Sequence, residues 1–145
     1  MNPYDVMLNL KRLECHCIAA LEAIAHYLKE CQANRIAFLP GFRVRDLRDC
    51  HDDLERTYLI RLFAQFEIAL RDYWEKEVRD TNPRVHDLLE SLGGRLYIQY
   101  DVVSRVHAVR EYRNAIVHGG NAAPVTLAEA RSYLCTYLSN LPRHY

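Results

Sequence analysis

The stretch TYLIRLFAQFEIALRDYW, Thr57 to Trp74, decides the fold class. Its apolar residues are Leu59, Leu62, Phe63, Phe66, Leu70, Tyr73 and Trp74. They recur at steps of three and four, which puts them on one face of a helix and on both faces of a strand. No glycine or proline interrupts them. The spacing predicts a long amphipathic helix from about Asp53 to Arg79, with the aromatic stripe as core or subunit seam.

The same period appears on either side. Leu10, Leu13, Cys17, Leu21, Ile24 and Leu28 form an apolar stripe that predicts a first long helix from about Pro3 to Cys31. Between the two lies Gln32 to Asp53. Pro40-Gly41 marks a turn there, and the charged RVRDLRD reads as a solvated loop or a short helix. After the second helix, Thr81-Asn82-Pro83 opens a short helix carrying Val85, Leu88, Leu89 and Leu92, with Gly93-Gly94 as its expected stop. Leu96 to Tyr100 is expected to be briefly extended. Asp101 is the expected cap of a further helix through Val102, Val106, Val109 and Ile116, ending at Gly119-Gly120. Thr126-Leu-Ala-Glu129 reads as a capping box that opens a last helix with Leu127, Ala130, Leu134, Leu138 and Leu141. The fold class is therefore all-α: a compact bundle of about five helices, two long and three shorter. At 145 residues the chain suits a single domain, residues 1–145.

Charge narrows the function classes. Lys+Arg and Asp+Glu are both 19, a formal net charge of zero, which excludes a polybasic mode of nucleic-acid binding but not a local basic site. Arginine outnumbers lysine 16 to 3, and arginine is the better residue for bidentate contact with phosphate or carboxylate. No apolar run approaches the roughly 20 residues that span a bilayer, so no membrane association is expected. A charged N-terminal stretch and an odd count of five cysteines point to reduced thiols and a cytoplasmic chain. Cys15-His16-Cys17 suggests a metal site, but on a helix residues two apart point roughly 200° apart. No CxxC occurs, and the reading expects no metal and no cofactor. Walker and dinucleotide fingerprints are absent.

The chemistry is concentrated in Arg110-Glu-Tyr-Arg113-Asn114-Ala-Ile-Val-His118-Gly-Gly. At about 100° per residue, Arg113 falls in the middle of the stripe made by Val102, Val106, Val109 and Ile116. A guanidinium there needs a carboxylate, a polar cavity or an interface, because an unpaired buried charge costs several kcal/mol. Glu67, at the edge of the apolar face of the second long helix, is the expected partner. Asn114 and His118 are four apart and share a face, with His107 and Arg110 near the same flank. The negative end of the helix dipole favours a cation at His118. Tyr112 is a candidate for stacking a base, although an ordinary surface role suits it better. Arg43, Arg45 and Arg48 are interleaved with Asp46 and Asp49, which favours a solvated face over an RNA contact.

The segment Arg113-Asn114-Ala-Ile-Val-His118 resembles the R-x4–6-H motif of the HEPN superfamily, whose catalytic branch often reads R-N-x-x-x-H. The helix from Thr57 also resembles the long helix that precedes the motif in that family, and the resemblance is firmest over Leu54 to Leu141. The bare spacing occurs three times, at Arg45–His51, Arg79–His86 and Arg113–His118. Only the last has the adjacent asparagine, the apolar filler and the Gly-Gly stop.

The resemblance implies a metal-independent endoribonuclease, a toxin or antiphage effector by family, working as a homodimer whose two motifs meet in one groove. It implies His118 as general acid or base, Arg113 as the phosphate-holding cation, Asn114 as an orienting group, and a 2′,3′-cyclic phosphate product. Glu67, Arg110, His107 and Tyr112 are the expected supporting residues, RNA the substrate, and an antitoxin or larger defence-system protein a further partner. Some family toxins carry a modifiable tyrosine two residues after the histidine; Gly120 stands there instead, which argues against that form of control. The alternatives are a non-catalytic HEPN module binding nucleotide, RNA or protein, and a helical adaptor without a site.

Overall fold

In the computed structural model, which describes residues 2–143, the chain forms five helices and no strand among the described residues. Helix α1 spans Pro3–Gln32, α2 Val44–Glu77, α3 Val85–Arg95, α4 Tyr100–His118 and α5 Leu127–Leu138. The two long helices pack on each other, with Asn9, Arg12, Leu13 and His16 of α1 beside Arg61, Ala64 and Gln65 of α2. Helix α5 packs on both, α4 packs on α2 and α5, and α3 closes the far end against α2 and α4. No described helix is long and apolar enough to cross a membrane.

The sequence stripe of α2 is the centre of the core. Leu59, Leu62, Phe63, Phe66, Leu70, Tyr73 and Trp74 are all buried, among Leu10 and Cys17 of α1, Leu88, Leu89 and Leu92 of α3, Val106 and Val109 of α4, and Leu134, Tyr137 and Leu138 of α5. The aromatic stripe is thus core. Phe66 stands edge-on to Tyr137, with ring centroids 5.6 Å apart. Two polar tips inside this core find partners. Trp74 Nε1 donates to Thr81 Oγ1 at 3.0 Å, and Tyr137 Oη donates to the Leu89 carbonyl at 2.8 Å. Cys17 is buried while Cys15 is exposed, so the two thiols do lie on different sides of α1.

Burial pushes the Tyr137 phenol well above its ordinary range. The folded state therefore holds that proton more tightly than the unfolded chain does. The stability this contributes is present below about pH 10, the unfolded phenol's range, and is lost as pH rises beyond it toward the raised value of the folded state. Tyr137→Phe is expected to cost about 1–2 kcal/mol at neutral pH, through the lost buried hydrogen bond. It should also flatten the alkaline limb of a denaturation-versus-pH curve.

Five local expectations are corrected. RVRDLRD is neither loop nor separate helix: α2 starts at Val44, where the Arg43 N–H donates to Asp46 Oδ2 at 2.9 Å. This first part of α2 extends past the core, where a helix can be polar nearly all round and leaves only a weak apolar pattern. Gly93-Gly94 does not stop α3. Gly93 is buried against α4, and a Cβ there would sit 3.0 Å from Val103 Cγ2, so its lack of a side chain serves close helix packing.

Residues 96–99 are a tight turn rather than an extended piece. The Ile98 N–H bonds the Gly93 carbonyl and the Tyr97 N–H bonds that of Gly94, the double closure of a Schellman motif. Finally, the cap of α4 is Gln99, with Asp101 inside the first turn 3.6 Å from Arg105, and α5 ends at Leu138, leaving the buried Leu141 in the turn beyond. The Thr126–Glu129 capping box forms as read.

The Schellman turn puts Tyr97 at φ 53°, the left-handed position that glycine normally takes. Its ring is 93% exposed and loses little packing when removed. Tyr97→Gly is therefore expected to stabilise the protein by roughly 0.5–1 kcal/mol in a denaturant titration, since an L side chain is strained there.

Candidate functional site

The motif occupies the C-terminal end of α4, and its residues do not all come together. Arg113 is half-buried, as its place in the apolar stripe requires. Its guanidinium carbon lies 5.9 Å from the Phe63 ring centre, and Nη1 donates to Asn114 Oδ1 at 2.9 Å. Its Nε is buried with no hydrogen-bond partner. Among the described residues no carboxylate lies within ion-pair distance of it.

The expected partner, Glu67, is committed elsewhere. Glu67 Oε1 accepts from Arg71 Nε at 2.9 Å and lies 2.7 Å from its Nη2. Arg71 also donates to Asn82 Oδ1 and to the Pro83 carbonyl, tying α2 to the turn before α3. Spacing explains the difference: Arg71 is one helical turn from Glu67 on the same helix, whereas Arg113 would have to reach it between helices.

His118 is the last residue of α4 and is exposed; Gly119 follows it at φ 75° and Gly120 at φ 133°. The two glycines turn the chain away sharply and leave the imidazole uncovered. Asn114 is held by Arg113, and no hydrogen bond joins it to His118 among the described residues.

The expected supporting residues are dispersed. Arg110 is half-buried with Nη2 3.6 Å from Glu111 Oε1 and Nε unpartnered. His107 points to α3, where its Nε2 lies 2.7 Å from Glu90 Oε1 and its ring sits 4.9 Å from that of His86. Tyr112 faces the other flank of α4, toward α2.

That other flank carries a cleft of about 530 Å³ between α2, α4 and the 120–122 segment. Asp53, Arg56 and Thr57 line it from α2, Tyr112 and Ala115 from α4, and Asn121 from the segment after α4. At about 100° per residue, Tyr112 lies about 160° round α4 from Asn114 and about 120° from His118, whereas Ala115 is only about 60° from His118. None of Arg113, Asn114 and His118 lines this cleft, although Ile116 and Gly120, each two residues from His118, do, and the set opens on the protomer's surface at the exposed His118. A neighbouring cleft shares Arg56 and Tyr112 and ends at Thr126. There Glu55 Oε1 accepts the Leu127 N–H at 2.7 Å, a contact across 72 residues of sequence.

Sequence reading missed Asp53, Arg56 and Thr57 as cleft residues. Their three- and four-residue spacing on the polar side of α2 was the available signal, but nothing in one dimension says which polar side faces α4.

Compared with known proteins, the chain matches no family model, no curated protein and no solved structure.

Proposed function

We propose that the chain is a HEPN-type, metal-independent endoribonuclease that acts as a homodimer. The observation that carries this reading is the Arg113 guanidinium, held over Phe63 and braced by Asn114 without any carboxylate to neutralise it. A fixed, uncompensated cation five residues from an exposed histidine on the same helix suits a phosphodiester in transit through a charged transition state. Arg113 binds the phosphate oxygens, Asn114 orients the guanidinium, and His118 moves the proton of the 2′-hydroxyl or of the leaving oxygen.

Because the set opens on the surface of one protomer, the groove is completed by a second copy, which also supplies a second imidazole. Acid–base cleavage uses two proton-transfer groups, and one chain offers only one at this site. The product is a 2′,3′-cyclic phosphate. A toxin or antiphage role follows from the family resemblance, and the charged N-terminal stretch and odd cysteine count support a cytoplasmic setting.

The test is cleavage of single-stranded RNA by the purified, nuclease-free protein in EDTA, with the product ends analysed and His118→Ala as control. Cleavage retained in that variant overturns the catalytic assignment.

A second reading is favoured by the cleft beside Tyr112, which lacks His118 and has the volume of a small-ligand site. In it the chain is a non-catalytic module that binds nucleotide, RNA or protein. It predicts binding without cleavage.

A further inference from the structure

His86 and Glu90 are four apart on α3 and so share one face of that helix. His107 of α4 packs against the same face. One potential ligand atom from each of the three, two imidazole nitrogens and a carboxylate oxygen, lies within 4.8 Å of the other two. The two imidazole rings are 4.9 Å apart, and Glu90 Oε1 lies 2.7 Å from His107 Nε2. Behind His86, Asp87 Oδ1 lies 3.3 Å from Nδ1. A proton held on Nδ1 by that carboxylate leaves the other ring nitrogen as the donor, the outer-shell arrangement common among metal-binding histidines.

We propose that His86, Glu90 and His107 form a binding site for a divalent transition-metal ion, zinc by preference, that staples α3 to α4. Two imidazoles and one carboxylate are a borderline donor set that suits zinc, with the fourth tetrahedral position open to water. The carboxylates of Glu90 and Asp87 supply negative charge, and Arg110, one turn along α4 from His107, opposes it in part.

Coordination must part the 2.7 Å contact and move the His107 ring proton to Nδ1, which is buried without a partner. These costs hold the affinity to the micromolar range, well below that of a closed four-ligand site. The site is 11 residues from His118, about 16 Å along α4, so the ion takes no part in chemistry at that end and the proposal does not depend on the ribonuclease reading.

The experiment uses tag-free, chelator-stripped full-length protein titrated with zinc and, in parallel, with cobalt. One equivalent is expected to bind. The Tm should rise by roughly 5–10 °C at zinc about 100-fold above its Kd. Cobalt should give d–d bands of a nitrogen–oxygen site without thiolate charge transfer. His86→Ala and Glu90→Gln, both at exposed positions, should each weaken binding at least tenfold, while Cys15→Ser and Cys50→Ser leave it unchanged. The proposal is overturned by an absence of saturable binding, by full binding in His86→Ala, or by a thiolate band that disappears with the cysteine substitutions.

Discussion

His118→Ala is expected to lower RNA cleavage by about 10²–10⁴-fold, the usual range for loss of a proton-transfer group. The imidazole is exposed at the end of α4 and makes no hydrogen bond among the described residues, so the Tm should stay within about a degree. Arg113→Met separates catalysis from structure more sharply. The long apolar side chain keeps the contact with Phe63 and removes a guanidinium whose Nε is buried unpartnered. Cleavage should fall to the same degree as in His118→Ala, while stability is unchanged or rises by up to about 1 kcal/mol. A purely structural Arg113 predicts the reverse: a lower Tm and unaltered cleavage. RNA-cleavage rates and thermal melts on the two variants decide between them.

The largest stability effect is expected at Phe66. Its ring is fully buried, 5.8 Å from Phe63 and 5.6 Å from Tyr137, where α2 meets α5. Phe66→Ala removes the apolar area, leaves a cavity that two other rings border, and breaks an edge-to-face pair. The expected cost is about 3–5 kcal/mol. A domain of this size has roughly 5–15 kcal/mol in all, so the Tm should drop by roughly 10–15 °C. Ile68→Ala, two residues along the same helix but half exposed, should change stability by no more than about 0.5 kcal/mol. Equal losses at both positions in a urea titration would mean that the stripe from Leu59 to Trp74 is not the centre of the core.

What was legible in the sequence was local or periodic. The stripe of α2, the stripe of α1 as far as Leu21, and the Thr126–Glu129 box each depend on residues within one or two turns and formed as read, while Ile24 and Leu28 of the α1 stripe stand outside the core cluster. Gly93 shows where this fails. A glycine pair after a helical pattern normally signals a stop, yet Gly93 lies inside α3 because Val103 of another helix takes the space of its missing side chain. The start of α2 was missed for the opposite reason: beyond the core nothing selects an apolar face, so the pattern that reveals helices fades.

The candidate site divides along the same line. Arg113 was correctly placed in the apolar stripe of its helix, since that position follows from the 3.6-residue period. Its environment was not foreseeable, because Glu67 had a nearer arginine at i+4 and Asn114 took the guanidinium instead. His86, Glu90 and His107 were separate residues in the sequence until α3 packed on α4.

That this protein is a helical bundle, and that arginine, asparagine and histidine end one helix, follows from residues near one another in the chain, because neighbours set helix periodicity. Which charges pair, on which side of α4 the cleft opens and which histidines meet follow from how the helices pack. Those depend on distances between helices that share no local sequence, and ion pairing and metal coordination are decided over a few ångströms.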